Sequence, residues 1–195
     1  MNKKYLLGTI ALAAAIFAFL WYSDVLFDTT FIFGLIPYPI LFIAYIVLAI
    51  IGIKELVKGN RQFVAGLIIL LALFFVVRFF SFRDAKVAWD YRFHSDKRLE
   101  VVEMIADGRI ESERALTDLP SGYKTLSSDG TVYVYENDKD GIQVGFWVFR
   151  GMLSGSMEVV YSSGGEDLIW KNETGHPIRS IKPLDEYWYY VVTDY

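Results

Sequence analysis

Three long apolar stretches occupy the start of the chain, and a mixed apolar and polar texture follows. Residues 5–22 are apolar at 16 of 18 positions, broken only by Gly8 and Thr9. As a helix they rise about 27 Å at ~1.5 Å per residue, enough to cross the hydrocarbon of a bilayer. Residues 31–53 carry only Gly34, Pro37, Pro39 and Gly52 outside the apolar set, and residues 62–82 only Gln62, Gly66, Arg78 and Ser81. The pattern predicts three transmembrane helices over 5–22, 31–53 and 62–82, so that residues 1–82 form an anchor with a short loop at 54–61. Lys3 and Lys4 ahead of the first stretch suggest a signal peptide, but its apolar core exceeds the roughly 7–15 residues usual for one. It also ends in bulky Trp21 and Tyr22 rather than at a small-residue cleavage site. An uncleaved anchor is expected.

Two features interrupt the anchor. Pro37-Tyr38-Pro39 removes two backbone donors, which predicts a packing kink near Tyr38 or a helix that starts late. Arg78 is the one ionisable residue well inside a span; about one turn from its end, it can snorkel to the interface. Arg78, Trp21, Tyr22 and Trp89 are read as membrane-interface anchors. Without a cluster of intramembrane carboxylate, His or Asn, the three helices lack the parts of a self-sufficient transporter.

Beyond the anchor, Leu99, Val102, Ile105 and Ala106 fall on one face of a helix over 96–107, with Lys97, Glu100, Glu103 and Asp107 on the other. Ser95 or Asp96 would cap its start and Gly108 would stop it. Residues 83–94 are then a juxtamembrane connector, either prolonging the third helix or jointed at His94–Ser95. Runs at 131–136, 142–150, 156–162 and 187–194 alternate or are rich in β-branched and aromatic residues, with Gly- and Asp-Gly-containing turns between them. The prediction for 95–195 is a small α+β domain: an amphipathic helix packed on a four-stranded antiparallel meander. The long connection 163–186 leaves room for a further short strand near 167–172.

Charge gives this architecture an orientation. Residues 1–82 hold six basic and three acidic side chains, a net +3, which leaves −7 of the total −4 to residues 83–195. Lys3, Lys4, Lys54, Lys58 and Arg61 flank one side of the spans and Asp24 and Asp28 the other, so the positive-inside rule puts the N-terminus and the 54–61 loop in the cytoplasm. Three crossings put the acidic domain outside, as part of a multi-pass protein of the cell membrane. A domain at −7 without a basic stripe is no nucleic-acid binder. With no cysteine, it has neither disulfides nor a Cys-ligated metal.

Candidate chemistry is sparse. The only histidines, His94 and His176, stand 82 positions apart, and no metal-ligand spacing or nucleophile motif surrounds either. Acid pairs such as Glu166/Asp167 and Asp185/Glu186 read as solvated surface, and the Asn137–Gly141 turn lacks the closing Glu of a calcium loop. No catalytic residue, metal or cofactor is assigned. Aromatic residues are abundant, and although most must fill the core, Trp147, Trp170, Trp188, Tyr190 and His176 form a candidate binding surface. The expected function is display of a noncatalytic extracytoplasmic domain that binds a protein or envelope partner, an immunity-like role being one form. The alternatives are an envelope enzyme using His176 and loop acids, or a structural subunit of a membrane complex.

Overall fold

The computed structural model describes residues 3–111, 115–137, 141–151, 155–171 and 177–194, and the chain divides into two compact units, Met1–Arg83 and Asp84–Tyr195.

The first unit holds α1 (Lys3–Leu35), α2 (Pro37–Val57) and α3 (Val64–Phe79), the last entered through a single 3-10 turn at Arg61–Phe63. Lys3–Asp24, Pro37–Val57 and Arg61–Phe79 are each long and apolar enough to cross a membrane. The second begins six residues later than the apolar run does, because α1 continues through the expected link to Leu35 and the chain turns at Ile36. Pro37 takes the first helical position, where its missing N–H has no intrahelical partner to lose and its fixed φ suits the helix. The Pro-Tyr-Pro tripeptide is therefore a helix start, not a kink within a span.

Packing in this unit gathers around Tyr5. Its hydroxyl donates to the Leu48 carbonyl at 3.0 Å, and its ring meets Phe63 with centroids 4.6 Å apart. Gly52 and Gly66 make room for it, since a Cβ on either would collide with the ring or its hydroxyl. Small residues that let helices close on one another are a general device of membrane bundles. At the opposite end of the α1 span, Arg83 Nε donates to Asp24 Oδ1 at 2.9 Å, and Asp24 is buried.

The second unit is built on α4 (Phe82–Ala106), one continuous helix. Phe80 is extended, so α3 stops at Phe79 and α4 does not prolong it. Residues 83–94, expected as a connector, are thus helical, and Val87 is fully buried in the core. No joint exists at His94–Ser95. The helix ends where the sequence places its stop, with Gly108 at φ +69° and the Arg109 amide donating back to the Met104 carbonyl at 2.8 Å.

The buried stripe of α4 differs from the apolar one read in the sequence. Leu99 is 41% exposed, whereas Arg98 is 1% exposed beside Val101, Val102 and Ile105. Arg98 is tolerated inside because its charge and donors are used: Nε and Nη2 reach the Leu126 carbonyl at 3.1 and 2.7 Å, and Nη1 pairs with Asp90 at 2.6 Å. Its guanidinium also lies 5.3 Å from the Phe146 ring centroid.

The sheet has six antiparallel strands where four were expected: β1 (Ala115–Asp118), β2 (Thr131–Asn137), β3 (Gly141–Arg150), β4 (Ser156–Ser162), β5 (Ile178–Asp185) and β6 (Trp188–Thr193), in the order β1-β2-β3-β4-β6-β5. The β2-β3-β4 meander is as predicted. After β4 the chain forms α5 (Gly165–Lys171), a helix where the long connection left room for a short strand. It then runs to the edge as β5, and β6 returns between β5 and β4. The last strand is therefore interior. One face of the sheet, with Val132, Val134, Val144, Phe146, Met157 and Val159, closes the core against α4.

A candidate recognition face on the sheet

Cross-strand register defines the other face. Leu116, Tyr133, Gly145, Val160 and Tyr189 are consecutive partners across β1, β2, β3, β4 and β6, and Trp147, Glu158, Val191 and Ile181 form a second row across β3, β4, β6 and β5. Partners in one row point to one side of a pleated sheet. The β4-β6-β5 end is covered: Ile169 of α5 packs on Val160 and Val191, with Ile181 and Tyr189 beside them. At the β1-β2-β3 end Leu116 is 49% exposed, and Tyr133 and Tyr135 are half-buried.

Glu158 stands between these two ends. Its carboxylate lies over Gly145, where an added Cβ would come within 3.3 Å of Oε2. It is 7% exposed, and burial pushes its pKa up to about 7, with the Trp147 indole and the Arg150 charge pulling it back only in part. Arg150 is held elsewhere. It stacks over Trp147 at 4.6 Å and pairs with Asp129 at 2.6 Å. Although burial raises it, the Asp129 carboxyl is kept below its usual range by bonds from Arg150 and from the amide and hydroxyl of Thr131. The same dry surroundings raise the Tyr133 phenol, with Tyr135 and Glu158 adding to the effect.

The aromatic set expected to form one binding surface is divided between the two faces. Tyr190 pairs with Val159 and Trp188 with Tyr161, which turns both toward α4 and buries them in the core. They supply packing, not a surface. Trp147 lies on the second face but is buried, its ring stacked against Arg150. Trp170 is exposed on α5, its indole donating to Glu166 at 3.1 Å. His176 lies outside the described residues, as do Asp138 and Asp140 of the turn after β2. His94 is tied to its own helix through Asp90, whose Oδ1 is 3.1 Å away. Among the described residues no three His, Cys, Asp or Glu side chains come together as a metal site.

The interface anchors are placed as follows. Trp21 stacks on Phe17, Tyr22 is exposed, and Arg78 sits in the last turn of α3 over Phe79. Trp89 is 63% exposed, in ring contact with Phe93 on α4. Tyr91, next to them in sequence, instead turns inward against Trp188 and donates to Asp185 at 3.3 Å.

Leu116 and Glu158 are the residues of the face that the sequence reading missed. Leu116 sits in a four-residue strand too short to show alternation, and Glu158 falls where a half-polar strand ordinarily meets water. A usable signal was Gly145 inside an otherwise bulky strand, which marks a close approach by another group. Among known proteins, no family model, curated protein or solved structure matches the chain.

Proposed function

We propose that this is a multi-pass membrane protein whose C-terminal unit stands outside the cytoplasm and recognises a protein or envelope partner without catalysis. The observation that carries the reading is the uncovered end of the second sheet face, where Leu116 is 49% exposed beside the half-buried Tyr133 and Tyr135 on strands β1 and β2. Among the described residues β1 is also an edge strand, paired only with β2, and edge strands accept an added strand from a partner. Aromatic rings and an exposed leucine on an edge strand suit a protein segment better than a small polar solute. The orientation rests on Lys54, Lys58 and Arg61 between the second and third spans.

A photo-crosslinking amino acid at Leu116 of the full-length protein in native membranes tests this reading. One discrete adduct, lost when the same probe is moved to Glu103 on the exposed side of α4, is expected. Adducts that are equal at both positions, or absent at 116, would remove the face from the account.

A further inference from the structure

The first unit contains a cleft of about 280 Å³ between the membrane-spanning helices, lined by Phe19 and Leu20 of α1, Leu41 and Tyr45 of α2, and Phe74 and Val77 of α3 among others. Its walls are almost wholly apolar, and the Tyr45 hydroxyl is already committed to the Leu70 carbonyl at 3.3 Å. A polar solute would find nothing to bind there. At about 30 Å³ for a methylene-sized group, the volume corresponds to about nine such groups.

The residue that follows the lining Val77 is a cation. Arg78 follows Val77 and lies one turn beyond Phe74, so the three share a side of α3. Its guanidinium is exposed over the Phe79 ring at 5.5 Å, and no carboxylate among the described residues answers its charge. The neighbouring cation, Arg83, is already paired with Asp24. An apolar slot with an exposed guanidinium one residue beyond its lining has the polarity of an anionic phospholipid. From this we infer that the cleft binds one phospholipid, with an acyl chain between the three helices and the phosphate on Arg78. This assigns Arg78 a ligand in addition to its place at the interface, and it stands independently of the sheet face.

Native mass spectrometry of the full-length protein in detergent, titrated separately with phosphatidylglycerol and phosphatidylcholine, tests the inference. The wild type should hold one lipid per chain and prefer phosphatidylglycerol by about fivefold, the ratio expected for one basic residue at a membrane surface. Arg78→Gln should keep the single adduct and bring the preference to unity. Val77→Trp and Leu41→Trp, which fill the slot, should lose the adduct with both lipids, while Ile46→Trp, elsewhere on α2, should retain it. Circular dichroism identifies any variant that fails to fold; Arg78→Gln changes only an exposed side chain and decides the matter if both filling variants do. A wild type with an open-ended adduct series and no preference, folded filling variants that still hold one lipid, or an Arg78→Gln protein that keeps its preference would each overturn the site.

Discussion

In residues 1–83 few side chains leave solvent among the described residues, Tyr5, Leu12, Phe19, Phe63, Leu70 and Leu73 being the buried apolar ones, and Gly52 is the only buried residue of α2. In residues 84–195 they fill a core of valines and aromatics, and two charged side chains, Arg98 and Glu158, are buried with them. The contrast follows from the solvent each unit is built for. Helices in lipid gain little by hiding leucine from a medium as apolar as leucine, so close approach at small residues and a few hydrogen bonds decide their packing. The aqueous unit is driven by apolar burial, and every polar group carried inside must be matched there.

Arg98 gives the largest test of that difference. Arg98→Ala should cost the second unit about 2–4 kcal/mol, because it leaves the Leu126 carbonyl without its donors, opens a cavity beside Phe146 and takes a partner from the half-buried Asp90. Urea denaturation of the full-length protein, followed by tryptophan fluorescence, reads it. A loss within the scatter of surface variants would mean that the buried network contributes nothing.

Glu158 should act in the opposite direction. Its folded pKa of about 7 lies above the ordinary 4.5, so the folded state binds the extra proton. Its contribution is complete below pH 4.5 and is lost as pH rises through about 7. Glu158→Gln should therefore stabilise the protein at pH 8 by up to about 3 kcal/mol and hardly at all at pH 4. Melting temperatures of wild type and variant across that range should converge at the acid end; parallel curves would contradict the burial argument.

The anchor should respond to overfilling. Gly66→Leu displaces Tyr5 and should weaken the helix bundle by about 1–3 kcal/mol. Resistance of the anchor to unfolding by SDS measures this, and the second unit should keep its melting behaviour.

What the sequence disclosed divides along the same line. The spans were legible because crossing a bilayer is a matter of length and apolar composition, which residues 5–22 and 62–82 display directly. Where α2 begins was not, since the apolar pattern runs from Phe31 through Ile36 with only Gly34 between and the geometry of Pro37 marks the turn. In the second unit the β2-β3-β4 meander was legible from alternation and turn residues. β1 and β5 were missed because one is four residues long and the other, IRSIKPLD, mixes charge and proline along an edge. The α4 stripe was misread at Leu99 and Arg98 because periodicity counts hydrophobicity, and two of the partners that admit an arginine to the core lie far along the chain, Leu126 at 28 positions and Phe146 on the sheet, with only Asp90 on its own helix. The β-bulge between Trp147 and Phe149 has a similar effect, turning Phe149 to the α4 side that simple alternation denies it.

The central claim is that the apolar helices cross a bilayer three times and leave the acidic unit on the far side. The chain has no cysteine, so a single one can be placed at will. Intact cells carrying Ser163→Cys or Lys58→Cys, treated with a membrane-impermeant maleimide, should label at 163 and not at 58 until the membrane is opened. Labelling at 58 with protection at 163 would contradict the account.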